Sequence, residues 1–359
     1  MLRDLSIHNY RAFKEFNVDG LARVNLIVGS NNSGKTSLLE AIYLLVNQNN
    51  PLSLIDLLEN RGEIAFAKSY KYFNDNYQLK HIFSNHLLNF NQNIEIESTQ
   101  DKSLSLKISL SPITVQLNLF YNTLEGDIPG FELNFLYNSH HNIKIPVLDD
   151  GTFEKRFFSK GESVKINSYR TNSLCEYLTT DNINFNKLAE LWDAINLTPH
   201  EDEVVGALQI IEPDVERISF TSRQTSNSGI IVKMRGQKEP IPLGSMGDGM
   251  RRILSLAMCA VNVENGYLLV DEIDTGLYYE IQTDMWRLIL ETAKKLKIQV
   301  FATTHSWDCV AAFQEALESI EDNNIGKLFR LDSKYGKIRA VEYLPEDLKI
   351  ALKQNIEVR

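Results

Sequence analysis

The sequence predicts an α/β fold in which a mixed sheet is flanked by helices and carries an antiparallel β-lobe. Residues 21–46 suggest a strand, a glycine-rich loop and a helix in succession, and two later apolar runs, 266–272 and 298–304, end in polar residues. Such runs are typical of strands that are buried on both faces of a parallel sheet. Residues 103–136 contain alternating apolar and polar side chains, which indicates antiparallel strands with one solvated face.

The first element is a predicted strand, loop and helix near the N-terminus. Leu21–Val28 predicts a strand, and Ser37–Val46 predicts a helix because its apolar residues recur at helical spacing. Between them lies Gly29–Thr36, with the sequence Gly-Ser-Asn-Asn-Ser-Gly-Lys-Thr. A glycine-rich turn alone is common in proteins that bind no nucleotide. Lys and Thr in register, between a strand and a helix, favour a phosphate loop.

This loop predicts how the chain would hold ATP. Glycine lets the backbone turn so that its amides face the phosphates at the start of a helix. Lys35 would reach the β- and γ-phosphates, and the hydroxyl of Thr36 would ligate Mg²⁺. The residues expected around the phosphates are Asn31, Asn32, Ser33, Gly34, Lys35, Thr36 and Ser37. GTP is disfavoured, because the pair Asn186–Lys187 lacks the Asp that would select guanine.

The second element is Gly266–Glu272, an apolar run that ends in two carboxylates. Ligands of open α/β sheets bind at the carboxyl ends of the strands, so both acids are expected beside the phosphate loop. Asp271 would hold the Mg²⁺ shell together with Thr36, and Glu272 would orient and deprotonate the attacking water. Two acids can also end a surface strand without any role, but their pairing with a phosphate loop favours catalysis.

The third element, Ile298–Thr304, is a predicted strand followed directly by His305. A histidine at this position can hydrogen-bond the γ-phosphate or the attacking water and so respond to the bound nucleotide. A single histidine is more often structural. Its place at a strand end, in a Thr-Thr-His-Ser setting, favours a catalytic role here.

A fourth element, Ser245–Gly249, is a Ser-Met-Gly-Asp-Gly turn that precedes a predicted helix starting near Met250. The N-terminus of a helix attracts anions. In combination, these motifs resemble those of the ABC-type ATPases of the SMC, RecF and OLD group, in order from Leu5 to about Asp308. The Ser-x-Gly-Asp-Gly form of the turn is similar to the signature of the OLD-like branch.

The resemblance implies an ATP-sandwiched homodimer. The signature residues would contact the γ-phosphate bound by the other subunit; they are Ser245, Gly247 and Gly249. Arg11, in the N-terminal strand segment, would lie near the nucleotide, and His305 matches the switch histidine. Asp274–Leu277 resembles the D-loop.

Three features depart from the family pattern. Asp248 stands where transporter-type versions of the signature carry Gly. Tyr278 stands where many relatives carry His after the D-loop, and Gln78 is the candidate for a Q-loop glutamine that has no clear match.

The predicted organisation has three parts. Residues 1–50 form the N-terminal ATPase half, 51–240 an inserted β-lobe and helical arm, and 241–359 the C-terminal half. The insert shows no sustained heptads, so no long coiled coil is expected. Residues 186–215 predict two amphipathic helices with a Thr-Pro break. Their apolar stripe is expected to be core; it consists of Leu188, Leu191, Trp192 and Ile195.

The C-terminal region helps to distinguish this chain from other members of the OLD-like branch. OLD enzymes usually continue into a TOPRIM nuclease domain, which uses an Asp-x-Asp motif for metal-dependent chemistry. Only 54 residues follow His305, and they contain no Asp-x-Asp. The acids at 308–322 fit the solvated face of a helix, and Val341–Gln354 predicts a closing strand and helix. We therefore expect no nuclease activity in this chain.

Composition agrees with a cytoplasmic protein without a membrane partner. The net charge is −10, the cysteines at 175, 259 and 309 have no metal-ligand spacing, and no signal peptide or membrane-length apolar run appears. The acidic balance disfavours sequence-independent DNA binding by the whole surface. A local basic groove would still allow it, and its candidates are Lys68, Lys71, Lys155, Arg156 and Lys160, although scattered lysines are more often ordinary surface.

The expected function is ATP binding and hydrolysis by a dimer that controls a separately encoded effector. The resemblance suggests bacterial defence against phage or plasmids, with a TOPRIM-type nuclease as the effector. One alternative is a RecF-like repair ATPase that binds DNA ends or junctions. Another is a low-turnover scaffold that senses ATP, which an intact Glu272 and His305 disfavour.

Overall fold

A computed structural model describes most of the chain. The described residues are 1–48, 50, 52–65, 76–88, 90, 92–113, 129–138, 141–154, 175–181, 183–221, 229–320, 322, 324–334, 336–354 and 356–358. The predicted strand at 115–121 and the candidate basic residues Lys68, Lys71, Lys155, Arg156 and Lys160 lie outside this part of the chain.

A six-stranded mixed sheet forms the centre of the protein. Its strands, in spatial order, are β11 (Cys175–Leu178), β15 (Tyr267–Val270), β16 (Gln299–Thr303), β3 (Val24–Val28), β17 (Gly326–Lys334) and β18 (Lys337–Tyr343). The first five run parallel, and β18 pairs antiparallel with β17. Every residue of β3 and β16 is buried, including the polar Asn25 and Gln299, which agrees with their mostly apolar sequences.

An antiparallel sheet lies over one face of the central sheet. Its order is β2 (Phe13–Val18), β1 (Leu5–Tyr10), β6 (Ile94–Glu97), β7 (Ser105–Pro112), β8 (Pro129–Tyr137) and β9 (His141–Leu148). Buried and half-exposed residues alternate along most of β7, as the alternating sequence predicts. The predicted antiparallel strands are therefore confirmed at β7 and β8.

Two smaller sheets and eight named helices complete the described part. The three-stranded sheets consist of β10 (Thr152–Glu154), β5 (Asn76–Gln78) and β4 (Ile64–Ala65), and of β12 (Val215–Thr221), β13 (Gly229–Met234) and β14 (Ile241–Pro242). The helices are α1 (Lys35–Val46), α2 (Leu52–Asn60), α3 (Phe185–Ile195), α4 (Pro199–Leu208), α5 (Asp248–Val261), α6 (Tyr279–Lys295), α7 (Trp307–Glu318) and α8 (Pro345–Lys353).

The two faces of the central sheet contact separate hydrophobic cores. Along β3, Ile27 packs into the core that contains α1, α2 and the antiparallel sheet. Its neighbours Leu26 and Val28 pack into the core formed with helices α3 to α8. Because successive side chains of a strand point to opposite faces, this alternation makes the central sheet the wall between two layers. The predicted fold class is confirmed.

The segment 51–240 contributes to both layers. Strand β11 pairs with β15 at the edge of the central sheet, and β6 pairs with β1, so the insert completes both six-stranded sheets. The sequence-based boundaries at 50 and 240 therefore do not coincide with the layers. The three-part organisation with these boundaries stays a prediction from the sequence.

The predicted helix pair at 186–215 is confirmed as α3 and α4. Asn184 caps α3 by accepting a hydrogen bond from the Lys187 amide, and Thr198 caps α4 with Pro199 at its first position. The predicted stripe is buried, as expected of core residues. The closing strand and helix are likewise present as β18 and α8. None of the described helices has the length and apolar character needed to cross a membrane.

Candidate nucleotide site

The phosphate loop joins β3 to α1 at the carboxyl edge of the central sheet. Gly29 and Gly34 both have positive φ, 152° and 96°. A Cβ at Gly29 would lie 2.7 Å from the carbonyl oxygen of Leu331, so only glycine fits there. Asn31 and Asn32 are exposed at the loop's outer side, and Asn32 also has positive φ. The loop therefore leads into the first turn of α1, which begins at Lys35 and also contains Thr36 and Ser37.

The loop holds a buried ammonium and a buried hydroxyl. Lys35 Nζ donates to the carbonyls of Gly29 at 2.7 Å and Ser30 at 3.1 Å. Burial lowers the pKa of Lys35, and the charges of Asp271 and Glu272 oppose that shift. Ser33 Oγ is buried without a hydrogen-bond partner in the described structure. A cation and an unpartnered hydroxyl in a loop that leads into the N-terminus of a helix fit a phosphate group.

Asp271 follows the last residue of β15 and is held from two neighbouring elements. Thr36 Oγ1 donates to its Oδ2 at 2.8 Å, and Thr303 Oγ1 donates to its Oδ1 at 2.5 Å. The carboxylate is buried, with 7% of the residue exposed. A hydroxyl and a carboxylate in contact are oxygen ligands of the kind that Mg²⁺ prefers. The residues present therefore fit a magnesium ion.

Glu272 and His305 lie side by side and are more exposed to solvent than Asp271. His305 Nδ1 is 3.4 Å from Glu272 Oε1, and their side chains are 57% and 37% exposed. Glu272 has φ of 45°, an uncommon conformation for a non-glycine residue. Its amide donates to Thr303 Oγ1 at 2.9 Å. The carboxylate can thus meet a solvent molecule, and the imidazole can contact the same molecule.

The D-loop segment, Asp274–Leu277, is hydrogen-bonded to Thr304, which lies between β16 and His305. Thr304 Oγ1 donates to Asp274 Oδ1 at 2.6 Å and accepts from the Ser306 amide at 2.9 Å. The Leu277 amide donates to the Asp274 carbonyl at 3.0 Å, which closes a turn. Tyr278 follows the turn as an exposed residue, its ring centroid 4.5 Å from that of Tyr279.

The predicted signature turn is exposed and lies against the D-loop. Gly247 has φ of 94° and directly precedes α5. A Cβ at Gly249 would lie 3.2 Å from the carbonyl oxygen of Gly276. Ser245 is exposed, and within the described ranges no hydrogen bond or ion pair joins residues 245–249 to the phosphate loop. The turn therefore lies apart from the phosphate loop, at the N-terminus of α5. Binding of an anion by this turn stays a prediction.

Arg11 is bound by carboxylates. Its Nε is 2.7 Å from Glu40 Oε2, and its Nη1 is 2.7 Å from Glu63 Oε1. Glu40 belongs to α1, so the pairs attach Arg11 to the helix that starts at the phosphate loop. A direct contact with the nucleotide stays a prediction. Gln78 is the last residue of β5, and its backbone amide donates to the backbone carbonyl of Glu63 at 3.0 Å.

Two residues of the site were not predicted. Thr303 contacts both Asp271 and the Glu272 amide, and the Thr-Thr pair before His305 is its only sequence signal. Arg252 donates to the carbonyls of both acids. The signal for it is weak: an arginine within a helix whose other residues are mostly apolar.

Fold and site together define a P-loop ATPase of the ABC, SMC and RecF type. The chain belongs to the family described as "AAA domain, putative AbiEii toxin, Type IV TA system", whose model matches residues 24–308.

Relatives and solved structures agree with this class. The chain is 25% identical to the "ATP/GTP phosphatase" of Helicobacter pylori, over 93% of this chain and 94% of that protein. It is 23% identical to the DNA replication and repair protein RecF of Alkaliphilus oremlandii, over 49% of this chain and 42% of RecF. A crystal structure of an SMC head bound to the C-winged helix domain of ScpA superposes with a TM-score of 0.51 at 12% identity, covering 96% and 98% of the two chains. That likeness supports the fold.

Proposed function

We propose that this protein binds and hydrolyses ATP, and that two copies close around the nucleotide. One observation carries the proposal: Asp271, bound to Thr36 of the phosphate loop at 2.8 Å, lies next to Glu272, which contacts His305 at 3.4 Å. Phosphoryl transfer requires mainly positioning and charge stabilisation. The arrangement combines a phosphate cradle, a metal-binding oxygen pair and an exposed acid–base pair. The name of the Helicobacter pylori relative, a phosphatase of ATP and GTP, agrees with hydrolysis.

Each residue has a defined part in the proposed reaction. The amides of residues 31–37 and the Lys35 ammonium bind the phosphates. When Mg²⁺ is bound, Thr36 and Asp271 hold it, and the ion neutralises charge on the β- and γ-phosphates. Glu272 accepts a hydrogen bond from the attacking water and takes its proton. His305 donates to the γ-phosphate or orients the same water, and Thr303 keeps Asp271 in place.

The proposed dimer follows from the separation of the two phosphate-binding elements. The signature turn has an exposed serine, open space around Gly247, and the positive end of the 14-residue helix α5 behind it. Its own phosphate loop makes no hydrogen bond with it in the described part. A second copy, placed head to head, would bring Ser245 of one subunit to the γ-phosphate on Lys35 of the other.

The biological role we propose is control of a separate effector in bacterial defence. The family description, with its toxin and toxin–antitoxin terms, supports such a role. In this scheme the closed dimer is the active signal and hydrolysis ends it, while a TOPRIM-type nuclease on another chain cuts nucleic acid. The RecF relatives favour one alternative, an ATPase that binds DNA ends or junctions in repair. Binding to DNA ends that falls steeply with salt would support that alternative.

The first experiment is a turnover assay on the purified chain with ATP, with and without Mg²⁺. We expect phosphate release that requires Mg²⁺ and is lost in Lys35→Ala. Release at the same rate by Lys35→Ala would assign the activity to another site or to a contaminant. Binding of ATP without any release would instead support the low-turnover scaffold.

A further inference from the structure

A buried arginine lies in the helix that follows the signature turn. Arg252 occupies the second turn of α5, and only 2% of the residue is exposed. The helix around it is apolar, with Ile253, Leu254 and Leu256 fully buried in the same core. Burying a guanidinium among such residues is costly unless its donors are satisfied. Its hydrogen bonds therefore indicate what it is there to hold.

The two terminal nitrogens of the guanidinium join α5 to two other segments through three backbone carbonyls, whereas Nε has no hydrogen-bond partner in the described structure. Nη1 donates to the Thr179 carbonyl at 2.8 Å, just after β11. Nη2 donates to the carbonyls of Asp271 at 2.7 Å and Glu272 at 2.8 Å. The planar fork of arginine suits several fixed acceptors at once, and lysine cannot reproduce it. Burial lowers the pKa of Arg252, and nearby acids, Asp271 among them, oppose this shift.

Two of these carbonyls belong to the residues with the proposed catalytic roles. Glu272 has the uncommon φ of 45°, and such a conformation persists only where its surroundings fix it. Its carbonyl accepts from Arg252 and from the Thr275 amide, at 2.8 and 3.0 Å. Its own amide donates to Thr303 Oγ1. The backbone of Glu272 is thus held from both sides, and one of the holding groups comes from α5.

We infer that Arg252 is a positioning residue that makes the orientation of Glu272 depend on α5. The N-terminus of α5 carries the signature turn, so a phosphate bound there by a second copy would act on the helix that fixes the chain's own Glu272. Arg252 lies four positions after Asp248, the first residue of α5. A small movement of the helix is therefore transmitted to the carbonyls of both acids. This inference rests on the proposed function and deepens it, because it links the two sites of one dimer.

The test compares Arg252→Lys with Arg23→Lys. Arg23 is a matched control because its guanidinium also donates to backbone carbonyls, those of Ala293 and Ile298, at 3.5 and 3.3 Å, in another part of the molecule. We expect Arg252→Lys to lower kcat about 10- to 100-fold, since a misplacement of about 1 Å can have that effect. The Kd for ATP should stay within about twofold, because the phosphate loop is untouched. Arg23→Lys should change neither quantity.

Amide hydrogen exchange across residues 271–277 gives a readout that needs no turnover. We expect exchange there to rise about tenfold in Arg252→Lys and to stay unchanged in Arg23→Lys. Unchanged kcat, or unchanged exchange in this segment, would overturn the inference. So would a rise in Kd by the same factor as the fall in kcat. If Arg252→Lys does not fold, Arg252→Gln takes its place in both measurements.

The ATPase proposal and the inference about Arg252 can fail independently of each other. If the wild-type chain releases no phosphate from ATP, the ATPase proposal fails, and the role of Arg252 in catalysis fails with it. The exchange comparison would then still decide whether Arg252 fixes the backbone of Glu272. If the wild type is active and Arg252→Lys equals it, only the inference about Arg252 fails.

Discussion

The phosphate loop and the signature turn differ in how far a single chain completes them. Around the loop, Lys35, Thr36 and Asp271 are hydrogen-bonded to neighbouring strands and turns. The signature turn instead has an exposed Ser245 that makes no described hydrogen bond to the nucleotide site. A helix N-terminus favours anions, and we propose that this exposed one receives its ligand from a second copy of the chain.

In the proposed dimer, the phosphate loop would serve nucleotide binding and hydrolysis, and the signature turn would serve association of the two subunits. Changes at the loop and the strand ends should alter ATP binding or chemistry within one subunit. Changes at the signature turn should leave binding intact and prevent association. Variants at the two elements should therefore separate loss of binding or chemistry from loss of association.

Glu272→Gln should abolish hydrolysis while preserving ATP binding. Glutamine keeps the size of the side chain but cannot take a proton from water, and loss of a general base lowers kcat by about 10³-fold. The closed dimer should then accumulate with ATP, as measured by light scattering after size exclusion. Glu264→Gln, a change at an exposed acid after α5, is the control. Hydrolysis at the wild-type rate would show that Glu272 is not the base.

Lys35→Ala should weaken ATP binding by about 100-fold, because charge-assisted hydrogen bonds to two phosphates are lost. Isothermal titration with a non-hydrolysable analogue measures the effect. Lys14→Ala, at an exposed lysine of β2, should bind as tightly as the wild type. An unchanged Kd in Lys35→Ala would place the nucleotide elsewhere.

Ser245→Arg should block ATP-driven association and spare binding to the monomer. The larger, charged side chain fills the exposed turn, so we expect association at least about tenfold weaker, with the Kd for ATP within about twofold. Sedimentation with and without ATP measures the first quantity, and Ser103→Arg, at another exposed serine, is the control. Equal loss of nucleotide binding would mean that the turn serves its own subunit.

Thr303→Val should have the smallest effect. Valine has a similar shape but leaves Asp271 Oδ1 and the Glu272 amide without their described partner. We expect a fall in kcat of about tenfold and a loss of about 1–3 kcal/mol in the free energy of unfolding. Urea unfolding and steady-state assays measure both. Thr221→Val, which removes a remote hydroxyl contact to the Gly229 carbonyl, should retain full activity.

The central features of the fold were predictable because they are local in sequence. Residues 29–36 carry the phosphate-loop pattern within eight positions, and buried parallel strands such as β3 and β16 appear as short, mostly apolar runs. The edge strand β11 was not predicted, because four residues, Cys175–Leu178, carry too little pattern. Their place in the sheet is fixed by pairing with β15, about ninety residues later in the chain.

The same distinction applies to the site. Asp271, Glu272 and His305 end their strands, so parallel pairing brings them to one edge. Thr303 and Arg252 act through contacts to a carboxylate and to backbone groups of distant segments. Such contacts leave almost no trace in local sequence, and the ion pairs that hold Arg11 against Glu40 and Glu63 are equally long-range.

Mixing two inactive variants tests most directly whether one active site is built from two chains. Lys35→Ala retains its signature turn, and Ser245→Arg retains its phosphate loop, so a mixed dimer contains one intact composite site. If sites act independently, an equal mixture should recover about a quarter of the wild-type ATPase rate, because about half of the dimers are mixed and each has one working site. A mixture that stays at the sum of the two separate variants' rates would contradict the shared site.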